Sequence, residues 1–543
     1  MDFNKIIYTR PDYDTYKENI TLYISELKNT RTFEEFDNLF NKINKLRDKV
    51  QTMKVYSEIR YSINTKDSFY EKENVYWDEK SPLYDSLDNI FYRAVLGSTY
   101  KINIIEKYGQ QYYRLLNCRL KSFSDKIIYL LQKENILMSQ YTRLLASAKI
   151  LFDNKICNLS DLSIYMSSND EKIRRSSIKA HTSFFEENED KFDSIFDQLV
   201  KIRHEMAKRM GYENFIELAY YRMDRTDYNP KMVDQLRKNV RETYISQVNK
   251  IYKNQAKRIG VDKISYYDEK LDFLEGNAKL VGDGNYIIEQ GKIMYSQMSN
   301  ESKEFYDFLT NNNLFDVEAR ESKAMGGYCT FLNSYREPFI FGNFNGSVDD
   351  IDVLTHEAGH ALQMYLSREI KVPELLFPTL DTCEIHSMSM EFFTYPWMKL
   401  FFGEDEEKYK TYHYESAIKF LPYGCLVDHF QHEIYKNPNM SPVQRKNKWR
   451  ELEKIYMPNR DYQDLDLLDR GGYWFRQGHI YKDPFYYIDY VLAQLCALEL
   501  YELMQVDYKK AWSIYIKMCK VGGEYSFIEL VENSGLKNPF KEI

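Results

Sequence analysis

The chain has 543 residues, a length that corresponds to two or three domains or to one large domain around a cleft. Hydrophobic residues make up 43% and charged residues 29%, so the chain can bury a normal core beneath a solvated surface. The formal charge of −8 provides no basic excess, which excludes a general nucleic-acid binder.

Long helices are the first structural expectation. Only 21 Gly and 13 Pro interrupt the chain, well below the usual shares of about 7% and 5%. Apolar residues from Phe36 to Met53 recur in steps of three and four, which predicts a helix with one apolar stripe. Similar stretches follow at 85–104, 109–118, 123–149 and 171–222. We predict a mainly α fold with an N-terminal helical region over residues 1–170.

The sequence lacks the usual features of secreted and membrane proteins. Its start has no apolar core of a signal peptide, and no run reaches the roughly 18 apolar residues of a spanning helix. The seven cysteines are far apart and form no C-x-x-C pair, a pattern that suits a reduced compartment. We expect a cytoplasmic protein with no membrane or nucleic-acid partner.

A short β-hairpin is predicted in the middle of the chain. Residues 328–332 and 338–344 are rich in aromatic and β-branched side chains, and a polar segment, 333–337, separates them. This hairpin immediately precedes the segment with the strongest chemical signal.

That segment is His356-Glu-Ala-Gly-His360. On a helix, positions i and i+4 lie on one face about 6 Å apart, so both imidazoles can bind one ion while Glu357 projects beside it. Apolar flanking residues and the absence of proline favour a helix. The alternative is two surface histidines on a helix that only contributes to the core.

A third ligand is expected on another element, and Glu384 is the best candidate. Glu391 lies seven residues later on the same helical face, where it could orient a ligand histidine. Two alternatives remain open: Glu384 could close a capping box with Asp381, or His386 could be the ligand in its place.

A His/His/Glu site with an open position lowers the pKa of bound water towards about 7, and a neighbouring carboxylate can take the water's proton. Amide hydrolysis is the natural use of such a site.

Further along the chain, a glycine-containing loop precedes His479, and Tyr487 and Tyr490 share one face of the following helix. Alone, this tyrosine pair would be interpreted as core packing.

Together these segments resemble the thimet oligopeptidase and oligoendopeptidase F family of zinc metallopeptidases, closest to its Pz-peptidase branch. The segments that carry the likeness are His356–Ala361, Glu384–Glu391, Gly478–Ile480 and Pro484–Tyr490. The resemblance implies a two-lobed, helical molecule with a deep substrate channel, and a catalytic zinc-peptidase region over 171–543.

The resemblance also assigns residue roles. His356, His360 and Glu384 match the ligands of one Zn²⁺ ion, although Mn²⁺ or Co²⁺ suits the same ligands. Glu357 matches the general base, and Glu391 lies behind the ligands. His479 with Tyr487 and Tyr490 would stabilise the tetrahedral intermediate, with Tyr486 as the alternative register. The hairpin would offer an edge strand for the peptide backbone, with substrate-binding residues Gly342, Asn343 and Phe344.

The sequence therefore predicts a zinc-dependent endopeptidase that hydrolyses internal bonds of short unstructured oligopeptides, with a monomer favoured. One alternative is an exopeptidase that holds a peptide terminus through Arg336, Arg470 or Arg476. The other is a helical binding scaffold whose metal site is vestigial.

Overall fold

The computed structural model describes residues 1–541, and its architecture is mainly helical with two small sheets, which confirms the predicted fold class. The first elements are α1 Tyr13–Lys28, α2 Phe33–Ile63, α3 Ser68–Leu96, α4 Lys101–Tyr108, α5 Gln110–Ser122, α6 Ile128–Ala146, β1 Ile150–Phe152 and β2 Lys155–Cys157. Next come α7 Leu159–Met166, α8 Glu171–Glu187, α9 Glu189–Arg209, α10 Phe215–Arg222, α11 Pro230–Ile259, α12 Gly284–Met298 and α13 Asn300–Asn311.

The second part of the chain contains the larger sheet and the helices that follow it. They are β3 Phe315–Glu318, β4 Tyr328–Leu332, β5 Glu337–Phe344, α14 Asp349–Ser367, α15 Pro373–Leu376, α16 Leu380–Phe393, α17 Lys399–Phe402 and α18 Glu406–Lys436. The last are α19 Pro442–Tyr456, α20 Asp466–Asp469, α21 Gly478–Lys482, α22 Tyr487–Lys520, which is kinked at Asp507, and α23 Phe527–Asn533.

The two largest hydrophobic cores organise most of the helices. The smaller of these two is formed by α1 to α5, together with Val372 and with Leu375 of α15. Its helix α2 begins with a capping box between Thr32 and Glu35, and the predicted apolar stripe faces inward at Phe36. The larger core runs through most of the remaining elements and surrounds the site helices. The predicted division near residue 170 stays a prediction.

The predicted hairpin forms, but as part of a three-stranded sheet. Strands β4 and β5 are antiparallel, with Tyr328 opposite Phe341 and Leu332 opposite Glu337. Strand β3 pairs in parallel with the other side of β5, so the order is β3-β5-β4. Strand β3 was not predicted from the sequence, because this four-residue strand depends on a partner distant in the chain.

The three predicted substrate-binding residues lie on β5. Gly342, Asn343 and Phe344 lie on the central strand, whereas the edge strand on the hairpin side is β4. The Asn343 amide donates to the carbonyl oxygens of Ala324 and Gly326, and Phe344 is 8% exposed. The Asn343 amide therefore holds the segment before β4. Contact of Gly342, Asn343 and Phe344 with substrate stays a prediction.

The smaller sheet was also absent from the sequence prediction. Strands β1 and β2 form an antiparallel hairpin in which Asp153 and Asn154 adopt φ of +50° and +59°. Asp and Asn tolerate this left-handed conformation better than most residues, so they suit a tight turn.

Within residues 1–541 no helix combines the length and apolar character that a membrane crossing requires. All seven cysteines are free thiols.

Candidate metal centre and active site

Helix α14 presents two imidazoles on one face. Its start is held by Asp350, whose carboxylate accepts the backbone N–H groups of Asn345 and Gly346 in the turn after β5. One face of the helix packs into the core through Leu354, Ala358 and similar residues, all fully buried. The opposite face places the rings of His356 and His360 5.0 Å apart, as expected of positions i and i+4.

Helix α16 brings Glu384 to the same point. One Glu384 carboxylate oxygen, Oε2, lies 3.2 Å from His356 Nε2 and 3.4 Å from His360 Nε2. The ligand atoms of the three residues all lie within 4.8 Å of one another. The Ser387 hydroxyl donates to the same carboxylate at 2.8 Å, a contact that sequence reasoning did not anticipate. The side chains predicted as metal ligands are thus brought together.

The two alternatives for this helix are not realised. Helix α16 begins at Leu380 after the N-cap residue Thr379, and Asp381 accepts hydrogen bonds from Thr379 and Tyr228. No capping box with Glu384 forms at the start of α16. His386 points into the core, where its Nδ1 lies 3.4 Å from the Cys519 thiol and burial lowers its pKa to about 3.

A glycine allows the two helices to approach closely. A Cβ atom at Gly359 would lie 2.6 Å from the carbonyl oxygen of His386 and 2.6 Å from Cα of Ser387. Real Cβ atoms essentially never make such contacts, so any other residue would push α16 away. The glycine between the two histidines therefore determines how near Glu384 can come.

A chain of hydrogen-bonded side chains lies behind the predicted metal ligands. One carboxylate oxygen of Glu391 lies 2.7 Å from His356 Nδ1, and the other lies 2.7 Å from His413 Nε2. His413 Nδ1 in turn lies 2.7 Å from the Tyr395 hydroxyl. Glu391 occupies the predicted position behind a ligand, whereas His413, on α18, carried no recognisable signal in the sequence.

This donor set fits a catalytic zinc ion. Two imidazole Nε2 atoms and one carboxylate oxygen are the ligands of many hydrolytic zinc sites. Because Glu391 occupies the Nδ1 side of His356, the lone pair of Nε2 is directed towards the shared point. The burial of Glu384, only 2% exposed, strengthens its attraction for a cation.

Glu357 is buried beside the histidines, at the boundary between α14 and the sheet. Burial raises the pKa of its carboxyl group, and the neighbouring imidazoles oppose the shift. A Cβ atom at Gly327, just before β4, would lie 2.9 Å from Val353 and 3.4 Å from Glu357 Oε1. The absence of a side chain at Gly327 therefore lets the strand segment pass directly over the carboxylate.

The C-terminal histidine and tyrosines reach the site in a different arrangement from the prediction. The Tyr486 hydroxyl donates to Glu384 Oε1. The Tyr490 hydroxyl lies 3.4 Å from His479 Nε2. The Tyr487 ring instead packs against Phe420, 5.6 Å between ring centroids, and against Tyr423 at 5.8 Å. The hydroxyl groups that lie against Glu384 and against His479 Nε2 are therefore those of Tyr486 and Tyr490. The Tyr487 ring lies 5.2 Å from the His479 ring, and its hydroxyl interacts with Gln477.

The comparisons with known proteins agree with this geometry. Residues 164–277 and 292–543 match the family described as Peptidase family M3. Residues 3–123 match the Peptidase M3 N-terminal domain. The chain belongs to peptidase family M3. The predicted family is thereby confirmed, and the protein is a metallopeptidase that acts on peptides.

Individual relatives of this M3 peptidase extend the likeness over nearly the whole chain. A solved structure of Pz peptidase A with an inhibitor is 46% identical, with a TM-score of 0.98 over 99% of this chain and 96% of that one. An oligoendopeptidase F homolog from Borreliella burgdorferi is 22% identical over 74% of this chain and 70% of its own. The oligopeptidase PepF from Bacillus subtilis is 21% identical over 98% of this chain and 81% of its own.

Proposed function

We propose that this M3 peptidase is a zinc-dependent endopeptidase that hydrolyses internal bonds of short unstructured oligopeptides. The observation that carries the proposal is the convergence of His356, His360 and Glu384, with the buried carboxylate of Glu357 beside them. A bound zinc ion supplies a Lewis acid and lowers the pKa of its water towards about 7.

Glu357 acts as the general base. It accepts the proton of the attacking water and passes it to the nitrogen of the leaving amine as the C–N bond breaks. Its buried environment supports this role, since burial raises its pKa and brings it closer to neutral pH, where proton transfer in both directions is efficient. His356, His360 and Glu384 would hold the ion, and Glu391 fixes the ring of His356.

His479 and Tyr490 stabilise the oxyanion of the tetrahedral intermediate. Burial lowers the pKa of His479, so its ring is neutral and offers one N–H donor. The Tyr490 hydroxyl, 3.4 Å from His479 Nε2, supplies a second donor in the same place. This proposal replaces the predicted Tyr487, whose ring is packed among Phe420 and Tyr423.

Two of the three arginines considered for an exopeptidase are paired with carboxylates. Arg336 lies 3.6 Å from the Asp48 carboxylate, and Arg470 pairs with Glu189 and Asp466. Such pairs leave little free charge to hold a terminal carboxylate. Arg476 donates to the Tyr266 hydroxyl and lies 4.5 Å from the ring centroid of Tyr473. Arg476 therefore keeps its charge, whereas Arg336 and Arg470 do not favour an exopeptidase. The name of the relative called an oligoendopeptidase F homolog supports cleavage of internal bonds.

The proposal is tested with quenched-fluorescent peptides of about ten residues, free or blocked at both ends, incubated with the parent protein and with Glu357→Gln. We expect the parent to cleave internal bonds of both peptides and the variant to lose turnover by orders of magnitude while retaining the metal. Mass spectrometry locates the cleaved bonds, and elemental analysis measures zinc in both proteins.

Each other outcome selects a different alternative. Cleavage of only the unblocked peptides would indicate an exopeptidase. No cleavage by a parent protein that contains zinc would favour the scaffold with a vestigial site. Normal turnover by Glu357→Gln would show that another group is the general base.

A further inference from the structure

A chain of hydrogen bonds approaches the proposed oxyanion site from behind. The Tyr423 hydroxyl, on α18, donates to Gln477 Oε1 at 2.7 Å. The amide nitrogen of Gln477, Nε2, lies 3.0 Å from His479 Nδ1. On the other side of the imidazole, His479 Nε2 faces the Tyr490 hydroxyl at 3.4 Å. The chain thus joins α18, the segment before α21 and α22.

The orientation of the Gln477 amide determines the direction of each bond, because the Tyr423 hydroxyl can donate or accept whereas each end of the amide does only one. Burial raises the pKa of Tyr423 well above its usual value, so its hydroxyl keeps its proton. A carboxamide oxygen accepts only, and a carboxamide NH₂ donates only. Because Gln477 Oε1 faces the Tyr423 hydroxyl, which donates to it, the Gln477 NH₂ group is turned towards His479. His479 Nδ1 must then be the acceptor.

A neutral imidazole carries a single proton, on one of its two nitrogens. We propose that Gln477, oriented by Tyr423, is a positioning residue that sets the tautomer of His479 with its proton on Nε2. The Nε2–H bond then points to the side where Tyr490 lies, ready to donate to an oxyanion. In the opposite tautomer the same nitrogen would present a lone pair and would repel the oxyanion.

The inference rests on the proposed function only for its effect on turnover. The tautomer itself is a property of the folded protein, and nitrogen-15 NMR of histidine-labelled protein measures it without any peptide. The signals of His479 are assigned by comparison with the variant His479→Asn. We expect the parent protein to show a protonated Nε2 and an unprotonated Nδ1.

Two substitutions of Gln477 separate the tautomer from the packing. Gln477→Glu keeps the shape but replaces the NH₂ donor by an acceptor, so a proton should move onto His479 Nδ1 and change its nitrogen-15 shift. Gln477→Leu removes both partners of the chain. For Gln477→Leu we expect kcat to fall roughly 10- to 100-fold, as for other residues that orient an active-site group, with KM within about twofold.

The control lies in the same turn. The Tyr141 hydroxyl donates to the carbonyl oxygen of Phe475 at 2.9 Å, so Tyr141→Phe removes one hydrogen bond from the segment without touching Gln477. Tyr423→Phe removes the bond that orients the Gln477 amide. We expect Tyr423→Phe to lower kcat and to mix the two tautomers of His479, and Tyr141→Phe to leave the tautomer unchanged.

The outcomes that overturn the inference are distinct from failure of the proposed function. A parent protein with the proton on His479 Nδ1 would contradict the assigned tautomer. A parent-like kcat in Gln477→Leu would contradict the positioning role while leaving the peptidase proposal intact. A parent protein that cleaves no peptide would overturn the proposed function, and the NMR measurement would still decide the tautomer.

Discussion

At the scale of single residues, three neighbouring tyrosines near the end of the chain differ in what their side chains contact. Tyr486 and Tyr490 lie one turn apart and address Glu384 and His479, whereas Tyr487 lies among aromatic rings. Their sequence context is nearly identical. Only the direction in which each side chain leaves the start of α22 distinguishes a catalytic candidate from a packing residue.

This difference leads to a paired prediction. Tyr490→Phe should lower kcat about 10²-fold or more with little change in KM, because its hydroxyl acts mainly on the transition state. Tyr487→Phe should lower kcat less than Tyr490→Phe does, since its ring remains to fill the same space and only its hydroxyl contact with Gln477 is lost. Steady-state kinetics on one internally cleaved peptide compares the two. A larger loss of kcat in Tyr487→Phe than in Tyr490→Phe would restore the original assignment.

At the scale of elements, the crossing of α14 and α16 is the feature on which the metal centre depends. The crossing occurs at Gly359, where a Cβ atom would lie 2.6 Å from backbone atoms of α16. Backbone cannot move aside as a flexible side chain can, so the two helices must separate if the glycine is replaced. The separation would carry Glu384 away from both histidines.

We therefore expect Gly359→Ala to lower both the thermal stability and the affinity for zinc. Overpacking of this kind costs about 1–3 kcal/mol, and the loss of one well-placed ligand contact weakens metal binding further. Calorimetry and competition with a chromogenic chelator measure the two effects. Gly284→Ala is the matched control, because its Cβ would meet the nearest atom at an ordinary 3.6 Å. Parent-like zinc affinity in Gly359→Ala would contradict the close-crossing argument.

At the scale of the whole molecule, a buried ionic cluster joins helices from distant parts of the chain. Glu134 on α6 pairs with Arg203 on α9 at 2.6 Å and with Arg222 on α10 at 2.9 Å. Arg203 also donates to the Tyr435 hydroxyl on α18 and to the Tyr481 carbonyl oxygen on α21. Burial raises the pKa of Glu134, but the guanidinium groups of Arg222 and Arg203 outweigh it and lower the value to about 2.

The shift determines how stability depends on pH. Since the folded pKa lies below the unfolded value of 4.5, the ionised Glu134 stabilises the fold above about pH 4.5, and this stabilisation is lost as the pH falls towards 2. Glu134→Gln should lower the free energy of unfolding by about 3–5 kcal/mol at pH 7, because two buried arginines lose their carboxylate. Its difference from the parent should shrink as the pH falls from about 4.5 towards 3.

Thermal unfolding of both proteins across this pH range checks the prediction. Glu205→Gln serves as the control, since Glu205 forms an exposed pair with Arg209 on the surface of α9, and such pairs contribute little. A constant difference between Glu134→Gln and the parent at every pH would show that packing, and not charge, causes the loss.

Much of the architecture was accessible from the amino-acid sequence because it depends on local patterns. Steps of three and four predict helices such as α2, alternating aromatic runs predict β4 and β5, and the i, i+4 spacing of His356 and His360 defines half of the metal centre. Local sequence failed for β3 and for the β1–β2 hairpin. These short strands depend on backbone pairing with partners, which no periodicity records.

The sequence by itself determined which residue types could hold a metal ion and on which helices they would lie. Only the tertiary structure decided which face of α16 meets α14, so that Glu384 joins the histidines while His386 is buried against Cys519. It alone placed His413 behind Glu391 and brought the Tyr490 hydroxyl to His479 Nε2. The physical reason is that these contacts join residues far apart in the chain, and their geometry follows from the packing of whole helices.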